Sequence, residues 1–126
     1  MSCQTNPVNW FEIPVTDMDR ASKFYGTAFD TEITPAEIGP NKMGWFPMEQ
    51  NVPGAAGTLI MGDGYLPSHE GSLVYFHVAE IDPALEKITT AGGKTLVPRT
   101  SIGEYGFIAH FEDTEGNRVA LHEKPA

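Results

Sequence analysis

The stretch "FEIPVTDMDRASKFYGTAFDTEITP", residues 11–35, aligns without a gap on "VYFHVAEIDPALEKITTAGGKTLVP", residues 74–98. Each residue of the second stretch lies 63 positions after its counterpart in the first, as Val78 does after Val15. Few paired residues are identical, but the order of the patterns agrees. An internal repeat constrains the whole fold. The chain is predicted to contain two copies of one structural unit.

Each copy begins with an alternating run of branched and aromatic residues, at 8–15 and 72–78, which is typical of a strand. A helix with an apolar stripe is predicted after each strand. In the first copy we expect Asp19 to cap the helix. In the second copy we expect Asp82 to cap it and Pro83 to occupy the first helical position, where its missing N–H costs nothing.

The second helix is predicted to end at Gly92 and Gly93, as a left-handed C-terminal cap would end it. Three short strands are predicted after each helix, at about 31–38, 44–49 and 57–61 in the first copy and about 94–99, 105–112 and 119–123 in the second. Each copy is thus a βαβββ module. Module one covers about 8–61, a turn-rich linker covers 62–71, and module two covers about 72–124. Since each module alone is small for a stable core, we expect one domain, 1–126, in which the two sheets pair.

Composition narrows the choice of partners and compartment. The chain has 126 residues and a formal net charge of −9, which disfavours nucleic acid and anionic membranes as partners. Its one cysteine, Cys3, cannot form an internal disulfide, so a cytoplasmic location is expected. No apolar run reaches the length of a membrane span, and the N-terminus lacks the pattern of a signal peptide.

Two segments resemble the vicinal oxygen chelate superfamily. "IPVTDMDRASKFYGTAF" (13–29) resembles its opening module, and "FEDTEGNRVALHE" (111–123) resembles its closing hairpin, in which an Asp-x-x-Gly turn precedes the last strand. The superfamily includes glyoxalase I, extradiol dioxygenases, fosfomycin-modifying enzymes and bleomycin-binding resistance proteins. The resemblance covers residues 8–124 and is closest to small bacterial glyoxalase-related proteins.

The resemblance implies an α+β fold, in which tandem βαβββ modules form an eight-stranded, cup-shaped mixed sheet with a helix packed outside each module. It also implies a divalent metal on the floor of the cup, held by His, Gln or Glu from the first and last strand of each module and acting as a Lewis acid. The corresponding positions here are Trp10, Gly57, Leu73 and Ala120, none of which binds metal through its side chain. No metal is therefore expected at the usual positions, and no cofactor is predicted.

Strand alternation predicts which other side chains face the cup. The apolar walls are expected to be Trp10, Leu59, Met61, Leu73, Tyr75 and Ala120. The polar groups are expected to be Glu12, His77 and His122. A mostly apolar concavity with a few polar anchors is typical of a small-molecule site.

The three polar residues have alternative interpretations. Glu12 either pairs with His77, His122 or Arg99, or acts as a general base whose pKa is raised in an apolar cup. The two histidines are either hydrogen-bonded core residues or functional groups. Together, Glu12, His77 and His122 are also a plausible shifted divalent-metal set.

Three functions from different classes follow. The first is a glyoxalase-related binding protein that holds a small, partly apolar molecule in the cup. The second is a lyase, isomerase or dioxygenase-like enzyme that uses Glu12, His77 and His122, with or without a metal. The third is a structural or regulatory module that associates through its sheets. A homodimer is expected from the habit of the superfamily.

Overall fold

The computed structural model describes residues 6–126, so Cys3 lies outside the described residues. Both halves have the predicted order of one strand, one helix and three strands. The elements are β1 (Trp10–Pro14), α1 (Met18–Ala28), β2 (Thr34–Ile38), β3 (Asn41–Trp45), β4 (Ala56–Met61), β5 (Tyr75–His77), α2 (Ile81–Thr90), β6 (Lys94–Ser101), β7 (Phe107–Glu112) and β8 (Arg118–Glu123). A 3-10 turn at Gly103–Tyr105 precedes β7.

The eight strands form two four-stranded sheets with the same strand order, β1-β4-β3-β2 and β5-β8-β7-β6. The first and last strand of each module are parallel neighbours, and the other neighbouring strands are antiparallel. β1 and β5 are therefore edge strands of their sheets. The predicted α+β fold with tandem βαβββ modules is confirmed, and its eight strands are divided equally between the two sheets.

Helix α1 begins earlier than predicted. Its N-cap is Asp17, whose side chain accepts a hydrogen bond from the Arg20 backbone N–H at 3.0 Å. The prediction of Asp19 as the cap is wrong. Asp19 lies in the first turn of the helix, where its negative charge interacts favourably with the helix dipole.

Helix α2 also begins earlier than predicted. Glu80 occupies its N-cap position without a side-chain capping bond, and Asp82 and Pro83 lie inside the helix, so both predicted positions are wrong. The Ile81 N–H donates instead to the Glu123 carboxylate of β8 at 2.8 Å. A carboxylate distant in sequence replaces the local cap, and no pattern near residue 80 indicates it. The predicted end of the helix is confirmed, since Gly92 has a φ of +111° and the Gly93 N–H donates to the Ile88 carbonyl.

One apolar core is shared by both modules. The two helices contact each other and cover one face of each sheet. Aromatic rings join the halves, as where Phe29 stacks on Phe76 at 4.7 Å between centroids. The largest fully buried side chains are Val15, Phe24, Tyr25, Thr58, Leu59, Ile81, Ile88, Phe111, Val119 and Leu121. Within residues 6–126, neither helix is long and apolar enough to span a bilayer.

Candidate ligand-binding site

Each sheet has one face against the helices and one face turned away from them, here called the open face. In β1, Ile13 lies in the core. Because successive strand residues point to opposite faces, the open face carries Trp10, Glu12 and Pro14. In the second sheet the pairs Tyr75–Ala120 and His77–His122 are in register and share one face. The prediction that these residues share faces within their own sheets agrees with this alternation.

Part of the predicted apolar wall is wrong. Leu59 is fully buried in the shared core, and Met61 packs against the same core. Gly57 also faces the helix side, because a Cβ there would lie 2.5 Å from the Phe11 ring. Leu59 and Met61 therefore do not line the open face.

A one-residue difference between the modules explains this error. The Val15 N–H donates to the Ile60 carbonyl, and the Val78 N–H donates to the His122 carbonyl. The last strands are therefore related by 62 positions, although the first strands are related by 63. Thr58, and not Gly57, is thus the counterpart of Ala120. Because strand side chains alternate, one residue of shift moves every side chain of β4 to the other face.

A cleft of about 1390 Å³ lies between the edge strands β1 and β5. Both modules line it, and aromatic rings form much of its surface. Five residues predicted for the site line it: Trp10, Glu12, Leu73, Tyr75 and His77. Its deeper wall includes Phe11, Phe46 and Phe76 of the shared core.

A second hollow, of about 620 Å³, lies on the open face of the second sheet and brings the two predicted histidines together. His77, His122 and Tyr75 line it with Ile102 and Ile108. The His122 Nε2 lies 2.8 Å from the Tyr105 carbonyl oxygen, to which it donates. In the neutral ring Nδ1 then remains as an acceptor.

Glu12 is not joined to these histidines. It is exposed on the first sheet, and within residues 6–126 it makes no hydrogen bond or ion pair with His77, His122 or Arg99. Arg99 instead pairs with Glu123 at 2.9 Å. Among the described residues, no three His, Cys, Asp or Glu side chains are grouped closely enough to hold a metal ion.

The strand register shows which face of the second sheet carries His110. His110 is in register with Ala120, so it lies on the open face. Arg118 Nη1 donates to His110 Nδ1 at 3.2 Å. Burial, and then the positive charge of Arg118, lower the pKa of His110, so its ring is neutral at neutral pH.

Two buried polar groups on the first sheet were not predicted from the sequence. Thr58 and Trp45 are in register on β4 and β3. The Thr58 hydroxyl and the Trp45 indole Nε1 are buried without a hydrogen-bond partner among residues 6–126. Trp10 packs edge-on against Trp45, with 5.1 Å between ring centroids.

The turn Asp113–Asn117 joins the two modules, and this role was not predicted from the sequence. Glu115 Oε1 accepts hydrogen bonds from the backbone N–H groups of Thr16 and Asp17 at 2.9 Å, and Arg20 donates to Oε2 at 2.7 Å. Burial alone would raise the pKa of Glu115, but these hydrogen bonds outweigh it and lower the pKa to about 2. The carboxylate therefore holds the junction of β1 and α1.

Asp113, buried in the same turn, adds a further hydrogen bond between the turn and module one. It is 3% exposed and accepts hydrogen bonds from Tyr25 at 2.6 Å and from the backbone N–H groups of Glu115 and Asn117. Burial and the adjacent Asp113 carboxylate raise the pKa of Tyr25 well above its ordinary value, so the phenol remains a donor. The Asn117 side chain reaches the Pro14 carbonyl at 2.7 Å.

The sequence model of the Glyoxalase/Bleomycin resistance protein/Dioxygenase superfamily matches residues 8–121, which is most of the chain. The chain belongs to this superfamily. A glyoxylase-like domain-containing protein from Didymella fabae is 32% identical over 127 positions, covering 94% of each chain. A glyoxalase-related enzyme from Fulvimarina pelagi is similar in structure, with a TM-score of 0.71 at 17% identity, covering 95% of this chain and 89% of that one. The antibiotic binding protein TnmS3 from Streptomyces sp. CB03234 has a TM-score of 0.66 at 20% identity, covering 98% and 99%. At these identities the two structures show the fold alone.

The superfamily metal does not fit the residues present here. With the corrected register, its four positions hold Trp10, Thr58, Leu73 and Ala120. Only Thr58 carries a side-chain oxygen, and one neutral hydroxyl is not the set of imidazole and carboxylate ligands that a divalent site uses. The open faces offer hydrogen-bonding groups and apolar surface at these positions.

Proposed function

We propose that this superfamily member binds a small, partly apolar molecule in the cleft between β1 and β5. The observation that carries the proposal is the cleft itself, about 1390 Å³ in volume and lined by aromatic side chains from both modules. Small-molecule sites are concave, mostly apolar and supplied with a few polar anchors. Glu12, His77 and Tyr75 are the candidate anchors, and Trp10 and Leu73 are candidate walls.

Two further observations support the binding of a small molecule. The four superfamily positions lack a metal-ligand set, as described above. An antibiotic binding protein shares the fold over nearly its whole length. Antibiotic-like aromatic compounds are therefore a reasonable first class of ligands to screen.

A thermal-shift screen with a fluorescence readout tests the proposal. A compound bound only by the folded protein raises the unfolding midpoint by mass action. The chain has two tryptophans, and both lie in the contact between β1 and β3, so a ligand in the cleft should also change their emission. Trp10→Phe should weaken binding and remove part of the signal. A screen of apolar and aromatic compounds in which none raises the midpoint would contradict the proposal.

The second candidate is a lyase, isomerase or dioxygenase-like enzyme that uses Glu12, His77 and His122. The pairing of His77 with His122 along one hollow favours it, since two imidazoles on one face are suited to proton transfer. Elemental analysis of protein purified without chelator, followed by thermal shift with added divalent ions, tests its metal-dependent form. Absence of metal together with no metal-induced shift would contradict that form.

A further inference from the structure

Two hydrogen-bond donors are buried on the open face of the first sheet, on residues paired across the neighbouring strands β3 and β4. Thr58 is 0% exposed, and its hydroxyl has no partner among residues 6–126. The same holds for the indole Nε1 of Trp45. A buried polar group without a partner is costly and rare in native proteins, so each such group requires an explanation. Two of them in register on neighbouring strands indicate one shared cause.

The position of Trp10 connects these donors to the cleft. Trp10 lines the cleft and also packs edge-on against Trp45. It is in register with Ala56, two residues before Thr58, which places its ring diagonally next to Thr58 on the same face. Trp10 is partly buried, and its exposed part faces the cleft that it lines. A rotation of this ring would open the two donors to the cleft.

The charge next to the donors restricts what they would bind. Strand β4 has β3 on one side and β1 on the other, and on β1 the residue in register with Thr58 is Glu12. A carboxylate so close repels an anionic ligand group and accepts a hydrogen bond from a hydroxyl. The preferred group is therefore a neutral oxygen, as in a ketone, amide or alcohol.

We propose that Trp45 Nε1 and Thr58 Oγ1 form a subsite that donates hydrogen bonds to a neutral carbonyl or hydroxyl oxygen on an aromatic or alicyclic ligand. The proposal rests on the proposed binding function and names its ligand class. Thr58 stands at a superfamily metal position, so neutral donors here replace the ion as the group that holds the ligand oxygen. Trp10 covers the subsite in the free protein and packs on the ring of the bound ligand.

Thr58→Val tests the subsite in the free protein, because valine keeps the shape and removes the hydroxyl. If the hydroxyl has no internal partner, Thr58→Val leaves the urea midpoint unchanged or raises it. Thr58→Ser is the matched control, since it keeps the hydroxyl and removes the methyl group, and it should lower the midpoint. A lower midpoint in Thr58→Val than in Thr58→Ser would overturn the proposal, because the hydroxyl would then be bonded inside the protein.

A pair of matched probes tests the ligand class. 1-Indanone and indane have nearly the same ring system and differ by one carbonyl oxygen. The two indole N–H signals in a nitrogen–proton correlation spectrum report on Trp10 and Trp45 separately. We expect 1-indanone to shift the Trp45 signal downfield, and Thr58→Val to weaken its binding at least about fivefold, which is the loss expected for one hydrogen bond. Indane should also move the Trp10 signal. Its affinity should be the same for the wild type and for Thr58→Val.

The outcomes separate the two proposals. In one outcome both probes move the Trp10 signal equally, 1-indanone does not shift the Trp45 signal, and Thr58→Val binds 1-indanone as tightly as the wild type does. The cleft then binds ligands, and the donor subsite is wrong. If neither probe moves either indole signal, both the subsite and binding of this compound class in the cleft are contradicted. A carbonyl-dependent shift at Trp45, lost in Thr58→Val and kept in Thr58→Ser, supports both.

Discussion

The repeat places a turn of each module near the start of the helix in the other module, so the molecule has two equivalent sites of contact. At one site a side chain bonds the two modules together, and at the other the cleft lies between them. On one side the turn Asp113–Asn117 places Glu115 against the start of α1. On the other side the equivalent turn, residues 51–55, has Pro53 at the position of Glu115. Pro53, together with Ala79 and Glu80 at the start of α2, lines the cleft.

The difference shows how one side chain decides where a repeated fold is open. A carboxylate accepts hydrogen bonds from free N–H groups at a helix start, whereas the side chain of proline has neither a charge nor an acceptor atom. At the start of α2 the Ile81 N–H is bonded within its own module, by Glu123. The cleft occupies the side where this contact between modules is not made.

Removing Glu115 should have the largest effect on stability. Glu115→Ala leaves two N–H groups without an acceptor and takes the partner from Arg20, so it should lower the free energy of unfolding by about 3 kcal/mol. Urea denaturation measures this. The control is Glu112→Ala, which removes the same charge from a more exposed pair with His69 and should cost under about 1 kcal/mol. Equal losses in the two variants would show that the turn does not hold the modules together.

Acid should weaken the same contact. The pKa of Glu115 is lowered from its ordinary value of 4.5 to about 2, so the folded state holds the carboxylate ionised where the unfolded state takes up a proton. This contribution is present above pH 4.5 and is lost as the pH falls toward 2, at a cost on the order of 2–3 kcal/mol. The stability difference between wild type and Glu115→Gln should therefore shrink over this range. A difference that stays constant with pH would contradict the assigned role.

Removing the Tyr25 hydroxyl should have a smaller effect. Tyr25→Phe deletes the 2.6 Å hydrogen bond to Asp113, whose carboxylate keeps its bonds from Glu115 and Asn117. The expected loss is about 1–2 kcal/mol, since the acceptor is charged and buried. Thermal or urea unfolding measures it. The control is Tyr65→Phe, in the linker, where we expect almost no change.

The side of the molecule that carries Pro53 should tolerate substitution best. Pro53→Ala alters an exposed residue at the position equivalent to Glu115, and we expect a change within about 0.5 kcal/mol. Ligand affinity is the second readout, because Pro53 lines the cleft. A loss of stability as large as that of Glu115→Ala would mean that the two sides are not different.

The repeat and the glycine cap made the fold predictable, because both can be recognised directly from the order of residue types in the sequence. Cap positions and strand faces were less predictable. Asp17 and Asp19 look equally suitable as caps of α1 in the sequence, and the bond from the Asp17 N–H to Glu115, almost a hundred residues away, cannot be read from the local pattern. The faces of Leu59 and Met61 depend on one residue of register in β4, which a weak repeat cannot resolve. The homodimer and the cytoplasmic location stay predictions.

Backbone hydrogen exchange with and without a stabilising ligand tests the difference between the two sides most directly. The Thr16 and Asp17 amides should be protected equally in both states, because Glu115 holds them. The loop amides of Gly54, Ala55, Ala79 and Glu80 should exchange rapidly in the free protein and gain protection when a ligand is bound, since these residues line the cleft. Protection that rises instead at the Asp113–Asn117 turn, or that is unchanged at these loop amides, would contradict a binding cleft between β1 and β5.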